Sequence, residues 1–389
     1  MQMNFENTEI AFKAKSNSEL KAANFLFSSM GMPWLTKLGI AVTQFAFSWK
    51  LPIHGLIKQT IFKQFCGGET LEEANRCAQQ LHQYGISVIM DYGVEGKSDE
   101  AEFEKTTATF LETIEFAKDK PYVPFISLKV TGFARFELLE KMHAKVLLSA
   151  EEKEEANRVF TRIDAICKKA NEFGKMILID AEESWIQDPV DELADNMMRV
   201  YNKNHVVVFN TFQLYRHDRL AFLQKSFAKA SHENYLLGAK LVRGAYMEKE
   251  AKRANELNYP NPIQPNKEAT DRDYNEAIHF CLARSANVSC FIGTHNEESC
   301  LYACREMASR GISNPSKQIY FSQLYGMSDN ISFNLAKAGY QVSKYLPYGP
   351  VQDVIPYLMR RAQENTSVAG QTGRELGLIK QELKRRKMQ

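Results

Sequence analysis

An excess of charge of either sign is missing from this sequence: 49 Lys and Arg stand against 47 Asp and Glu, for a formal net charge of +2 at pH 7. That removes the electrostatic case for nucleic acid as a partner. Paired cysteine spacing is missing too. Cys66, Cys77, Cys167, Cys281, Cys290, Cys300 and Cys304 contain no C-x-x-C and are odd in number, so we read them as reduced thiols of a cytosolic protein. Cys300 and Cys304 would share a helix face, but no ligand histidine accompanies them, and no metal site is expected. Long apolar runs are absent as well. The most apolar stretch, 32–65, is broken by Lys37, Lys50, Pro52 and Lys58, which leaves nothing long enough to span a bilayer. The N-terminus lacks a basic region followed by an apolar one, so no secretory signal is expected. Without HExxH, a nucleophile elbow or a cysteine–histidine arrangement, the common hydrolase chemistries drop out. No GxGxxG follows a strand, so a dinucleotide would not be held in Rossmann fashion, and Gly67-Gly68 reads as a loop.

What is present is 389 residues, 44% of them apolar, ample for one large core with an extra lobe. Residues 1–85 read as a helical lobe. Within it 71–84 is amphipathic, with Thr70 as cap and Gly85 as stop. Short β-branched runs then alternate with amphipathic segments, at 86–91, 124–129, 176–180, 205–213, 237–243, 288–294, 318–324 and 340–345. Helical stretches at 150–173, 184–202 and 266–285 fall between them. Eight βα units predict an α/β fold, a (β/α)8 TIM-like barrel over 86–370, with an open doubly wound sheet as the alternative. Residues 371–389 read as a basic tail whose Lys384-Arg385-Arg386-Lys387 cluster is a solvated end or an aid to membrane contact. The 32–65 stretch is a candidate for peripheral membrane contact, against ordinary lobe packing.

The polar residues Lys129, Asp180, Gln213, Arg243, Thr294-His295 and Tyr345 fall at or just past expected strand ends. In a barrel those ends meet at one mouth, where barrel enzymes keep their chemistry. After the last strand, Tyr357, Arg360, Arg361 and Glu364 stand at i, i+3, i+4 and i+7 and share a helix face. Two adjacent arginines suit a small carboxylate through bidentate hydrogen bonds. Periodicity alone favours a solvated face with an Arg360–Glu364 pair. A helix in the usual outer ring could not aim such a clamp at the mouth. The last helix is therefore expected across it, departing at Gly349-Pro350 with Pro350 in the first turn.

Leu241-Val-Arg-Gly-Ala-Tyr246, Ile179-Asp-Ala-Glu-Glu183, Gly293-Thr-His-Asn296, Gln323-Leu-Tyr-Gly-Met327 and Tyr357-Leu-x-Arg-Arg-x-x-Glu-Asn365 resemble the motifs of the proline dehydrogenase family, in the family's order. The resemblance spans about 86–365. It implies FAD-dependent oxidation of L-proline to Δ1-pyrroline-5-carboxylate, with electrons passed to a quinone and the product to a separate pyrroline-5-carboxylate dehydrogenase. Arg360 and Arg361, with Lys129, would hold the proline carboxylate. Leu324, Tyr345 and Tyr357 would pack around its ring, while Glu364 and Asp180 orient the arginines. Ala181, Gln213, Lys240, Val242, Arg243, Gly244, Thr294, His295 and Asn296 would line the flavin. Asp180 and Lys240 are the candidate catalytic residues; many bacterial members carry Arg where this chain has Lys240.

Such a reaction needs positioning more than a nucleophile. Lys129 as a Schiff base is set aside, because the neighbouring motifs of barrel aldolases are missing. Hydroxyproline dehydrogenase is the nearest rival, against which the bulk of Tyr345 argues. A non-catalytic flavin barrel on a membrane is the other. At this length no aldehyde dehydrogenase half is expected within the chain. The expected location is the cytoplasm, or the inner face of the cell membrane.

Overall fold

The computed structural model describes residues 3–32, 34, 54–93, 98–367 and 371–388, with the side chains of 54, 56, 362–367 and 371–372 outside the description. Eight parallel strands close a barrel in sequence order. They are β1 (Ile86–Tyr92), β2 (Phe125–Lys129), β3 (Met176–Asp180), β4 (Val208–Gln213), β5 (Leu237–Val242), β6 (Val288–Gly293), β7 (Ile319–Leu324) and β8 (Val342–Tyr348). The (β/α)8 expectation holds, and the open-sheet alternative does not. By contact the chain forms two compact units, residues 94–322 and residues 1–93 with 323–389. The expected 86–370 division cuts across these units.

In the 94–322 unit, strand alternation sorts side chains by face. Phe125, Phe209, Phe291 and Tyr320 meet in an aromatic layer, with Phe125 centred 5.1 Å from Phe291 and 5.0 Å from Tyr320, both edge-on. Such pairs contribute roughly 0.5–1.5 kcal/mol each beyond area burial. Because alternation has period two, Lys129 lies on the face of Phe125, and Thr211 and Gln213 lie on that of Phe209. The opposite face of β4 carries Asn210, whose amide donates to Asp191 of the surrounding helix Gln187–Tyr201 at 2.9 Å. Flanking helices begin where side chains satisfy their first N–H groups: Ser149 and Glu152 form a capping box at Ala150–Glu172.

In the other unit, the lobe helices Thr8–Ala11, Asn17–Met30 and Leu71–His82 precede β1. Thr70 caps the last of these as expected, accepting from the Glu73 N–H. Phe12, Leu20, Phe27, Phe62 and Phe65 pack with Val354, Tyr357, Leu358, Leu378 and Ile379 in one apolar cluster. The lobe thus buries a face of the helices that follow β8, Val351–Ser367 and Gln371–Lys387.

Three expectations are corrected here. The last strand runs over 342–348, not 340–345, so Tyr345 sits mid-strand. Pro347 lies inside this strand because a proline is accommodated where the ladder needs no N–H, and its carbonyl accepts from Gly67 N–H at 2.8 Å. Pro350 precedes the helix instead of lying in its first turn, its carbonyl accepting from Asp353 and Val354. The basic cluster is only half a solvated end: Lys384 and Lys387 are exposed, but Arg385 and Arg386 both pair with the fully buried Glu382 of the same helix. Arg386 also donates to the carbonyls of Phe12 and Lys15. Most of the apolar 32–65 stretch, residues 35–53, lies outside the described residues. Among the described residues no helix is long and apolar enough to cross a membrane.

Candidate active site

Lys129, Asp180, Gln213 and Val242 are the last residues of β2, β3, β4 and β5. Arg243 and Thr294 follow β5 and β6 directly, so these residues stand at strand ends as the sequence suggests, whereas Tyr345 does not. Lys240 reaches past β4 to β3 and donates from Nζ to Asp180 Oδ1 at 2.5 Å. That reach follows from barrel geometry, in which alternate strands contribute to one interior layer. Ser127 Oγ donates to the same carboxylate oxygen at 3.0 Å. The ammonium is 7% exposed and the carboxylate 14%, a pair whose separation would leave a charge in low dielectric.

Arg243 is held on four sides. Its Nε donates to Asp271 at 2.8 Å, Nη1 to Thr294 Oγ1 at 2.7 Å and Nη2 to Ser299 Oγ at 3.0 Å. Its guanidinium lies 4.3 Å from the centre of the Tyr274 ring. Burial works against the charge of Asp271, but Lys267 and Arg243 outweigh it and hold the carboxyl below its usual range. Asp271, Tyr274 and Ser299 were not singled out from sequence, because a helix-borne partner of a strand-end arginine leaves no local signature.

The remaining residues of this unit divide by role. Gln213 donates to the Glu182 carbonyl at 2.7 Å, while its own Oε1 is buried with no hydrogen-bond partner. A buried acceptor left open is costly and marks a place for a ligand N–H or a water. Asn296 caps helix Glu297–Ser309, its carbonyl oxygen accepting from Ser299 N–H at 2.9 Å. Its amide N–H2 makes no part of that cap. Gly244, at φ +140°, has the Tyr215 ring where a Cβ would stand, 2.4 Å away. Its close approach is to Tyr215, and any larger residue would displace that ring. Ala181 and His295 are half-buried, directly after β3 and in the β6 loop. Glu182, also missed, ties the 180–183 segment to Thr131 Oγ1 at 2.6 Å and, through its N–H, to Gln187 at 2.9 Å.

The unit of residues 1–93 and 323–389 brings together a different set. Leu324 ends β7 and packs against the apolar cluster that contains Tyr357. Tyr345 pairs with Ile89 in register and accepts at its carbonyl from Tyr325 N–H at 2.9 Å. On helix Val351–Ser367, the Arg361 guanidinium lies 5.0 Å from the centre of the Tyr357 ring, and both residues are buried. Arg360 is half-buried on the same turn. This departs from a solvated charged face, which is what periodicity alone favoured. The side chain of Glu364 lies outside the described residues. Among the described residues no group of carboxylates, histidines and cysteines is placed to hold a metal.

The family model described as proline dehydrogenase matches residues 74–374. The chain belongs to the proline dehydrogenase family. It is an oxidoreductase of that kind. Among curated relatives, a carbapenem antibiotics biosynthesis protein, CarD, of Pectobacterium carotovorum subsp. carotovorum is 34% identical over 83% of each chain. Mitochondrial proline dehydrogenase 1 of Arabidopsis thaliana is 33% identical, over 86% of this chain and 76% of its own. Hydroxyproline dehydrogenase of Xenopus laevis is 32% identical, over 96% of this chain and 88% of its own. Among solved structures, proline utilization A from Bdellovibrio bacteriovorus, inactivated by N-propargylglycine, matches with a TM-score of 0.73 at 19% identity. It shares the fold over 94% of this chain, which spans 37% of that longer chain.

Proposed function

We propose that this chain oxidises L-proline to Δ1-pyrroline-5-carboxylate, with FAD as resident cofactor and a quinone as electron acceptor. The observation that carries the substrate is the buried Arg361–Tyr357 pair with Arg360 beside it. A guanidinium held out of water on an aromatic face fits a small carboxylate attached to an apolar ring. Arg360 and Arg361 bind the carboxylate. Leu324, Tyr345 and Tyr357 exclude water from the pyrrolidine ring.

The residues present suit a flavin. The open acceptor Gln213 Oε1 calls for a polar N–H such as a flavin ring carries. Lys240, fixed by Asp180, sets a buried cation at the end of the barrel interior, where positive charge favours the reduced form of the cofactor. Arg243, His295, Thr294 and the Asn296 amide suit the phosphate and ribityl portions. Bound there, FAD would supply the acceptor for a hydride from proline C5. The chain's own residues fix the ring in position, and the nitrogen gives up its proton as the C=N bond forms.

A quinone acceptor gives the 32–65 stretch a role in peripheral contact with the inner face of the cell membrane. Met32 and Trp34, at 48% and 66% exposed, supply apolar surface at its described edge. A separate dehydrogenase would consume the product. Hydroxyproline is the second substrate reading, supported by the identity to the Xenopus laevis protein. Steady-state turnover of both substrates with a soluble quinone decides between them. A kcat/KM higher for proline supports the proposal; a higher value for hydroxyproline replaces it with the second reading.

A further inference from the structure

The segment Gln323-Leu-Tyr-Gly-Met327 stood out in the sequence, yet only Leu324 has a place in the proposed chemistry. The structure shows what the rest requires. After β7 the chain turns back through Gly326 at φ +78° and Ser328 at φ +51°. A Cβ on Gly326 would stand 1.9 Å from the Gln64 carbonyl oxygen, so only glycine fits there. Ser328 has no such exemption, and a non-glycine residue in the left-handed region is held there by its surroundings.

Those surroundings are charged and buried. Lys344, with no exposed side-chain surface, donates to the carbonyls of Met327 at 2.5 Å and Leu324 at 3.4 Å and pairs with Asp329 at 2.9 Å. Glu375, on the C-terminal helix Gln371–Lys387, accepts from Ser328 N–H at 2.9 Å. Gln64 donates to the Gly326 carbonyl at 2.7 Å, and Tyr325 N–H bonds to Tyr345. Lys344 directly precedes Tyr345, and strand alternation sends the two side chains to opposite faces of β8. The lysine therefore grips the turn from behind while the tyrosine faces the barrel interior.

We propose that Glu375 and Lys344 are positioning residues for the proline site: together they fix the 324–328 turn, and so the Leu324 and Tyr345 walls, from outside the barrel. This inference rests on the reading that Leu324 lines the substrate. A merely structural anchor would be indifferent to which groups it tethers. Here both tethers end on the backbone between the two ring-packing residues. The C-terminal helix, which also packs Leu378 and Ile379 into the cluster that holds Tyr357, would thereby set substrate affinity.

The test compares Glu375→Leu, Glu375→Gln and Lys344→Met with Leu324→Ala in the flavin-loaded full chain. Glutamine can still accept from Ser328 N–H; leucine fills the space but leaves that donor unmet. An unmet buried donor favours displacement of the turn by roughly tenfold. We expect Glu375→Leu and Lys344→Met to raise the proline KM by about tenfold with kcat within about twofold, and Glu375→Gln to stay near wild type. Calorimetric binding of a non-oxidisable cyclic carboxylate should weaken in parallel. An unchanged KM in folded Glu375→Leu, or equal loss in Glu375→Gln, overturns the inference. If Leu324→Ala raises KM and Glu375→Leu does not, only the inference falls. If Leu324→Ala leaves KM unchanged, the substrate assignment falls with it. Should Lys344→Met not fold, the Glu375 pair alone decides.

Discussion

Lys240 Nζ and Asp180 Oδ1 meet at 2.5 Å although β4 lies between their strands. This contact turns two strand-end residues into one buried unit. Lys240→Met should leave Asp180 without its cation and destabilise the apoprotein by about 3 kcal/mol. Lys240→Arg should lose little. Urea denaturation midpoints of the three proteins check this, and a fully stable Lys240→Met would show the pair to be solvated.

The carboxylate clamp predicts a separation of substrate from cofactor. Arg360→Met should weaken proline binding by roughly 2–5 kcal/mol, because a buried carboxylate would lose its partner. Flavin content should stay near wild type. Loss of flavin with an unchanged KM would move Arg360 out of the substrate site.

Tyr345 is 9% exposed and stands in the middle of β8. If its ring limits space at proline C4, Tyr345→Ser should raise hydroxyproline kcat/KM relative to proline by about tenfold, the scale of one or two groups in a pocket. An unchanged ratio of the two kcat/KM values would place the ring elsewhere.

Burial, and next the negative charge of Asp329, push the Glu375 carboxyl up to about 7, while Ser328, Lys344 and Lys15 act in the opposite direction. Its folded value lies above the unfolded 4.5. The native state therefore holds the extra proton between those values. The stabilisation is complete below about pH 4.5 and is lost as pH rises through about 7. Wild type should thus lose on the order of 1–3 kcal/mol across that window relative to Glu375→Gln, which cannot ionise. Chemical denaturation of both proteins at pH 5 and pH 8 measures the difference, and parallel curves would contradict it.

Local patterns carried much of this fold. Thr70, Gly85 and the alternation around Phe125 and Phe209 act over a few residues, and their consequences were legible. The strand-end set of Lys129, Asp180, Gln213, Arg243 and Thr294 was legible for the same reason. The 342–348 strand was misread because only the pairing of Pro347 with Asp91 shows that a proline is tolerated there. Arg385 and Arg386 read as solvent-facing because nothing in their spacing announces that Glu382 is buried. Asp271, Glu375 and Lys344 were missed because their partners lie far along the chain or on backbone atoms. Periodicity is silent about both.

The most direct test of the whole account is the visible spectrum of the purified protein before and after excess L-proline is added without oxygen. Flavin absorption bands that bleach on addition of proline are expected. A protein that stays colourless after reconstitution with FAD, or whose flavin bands proline leaves untouched, would contradict it.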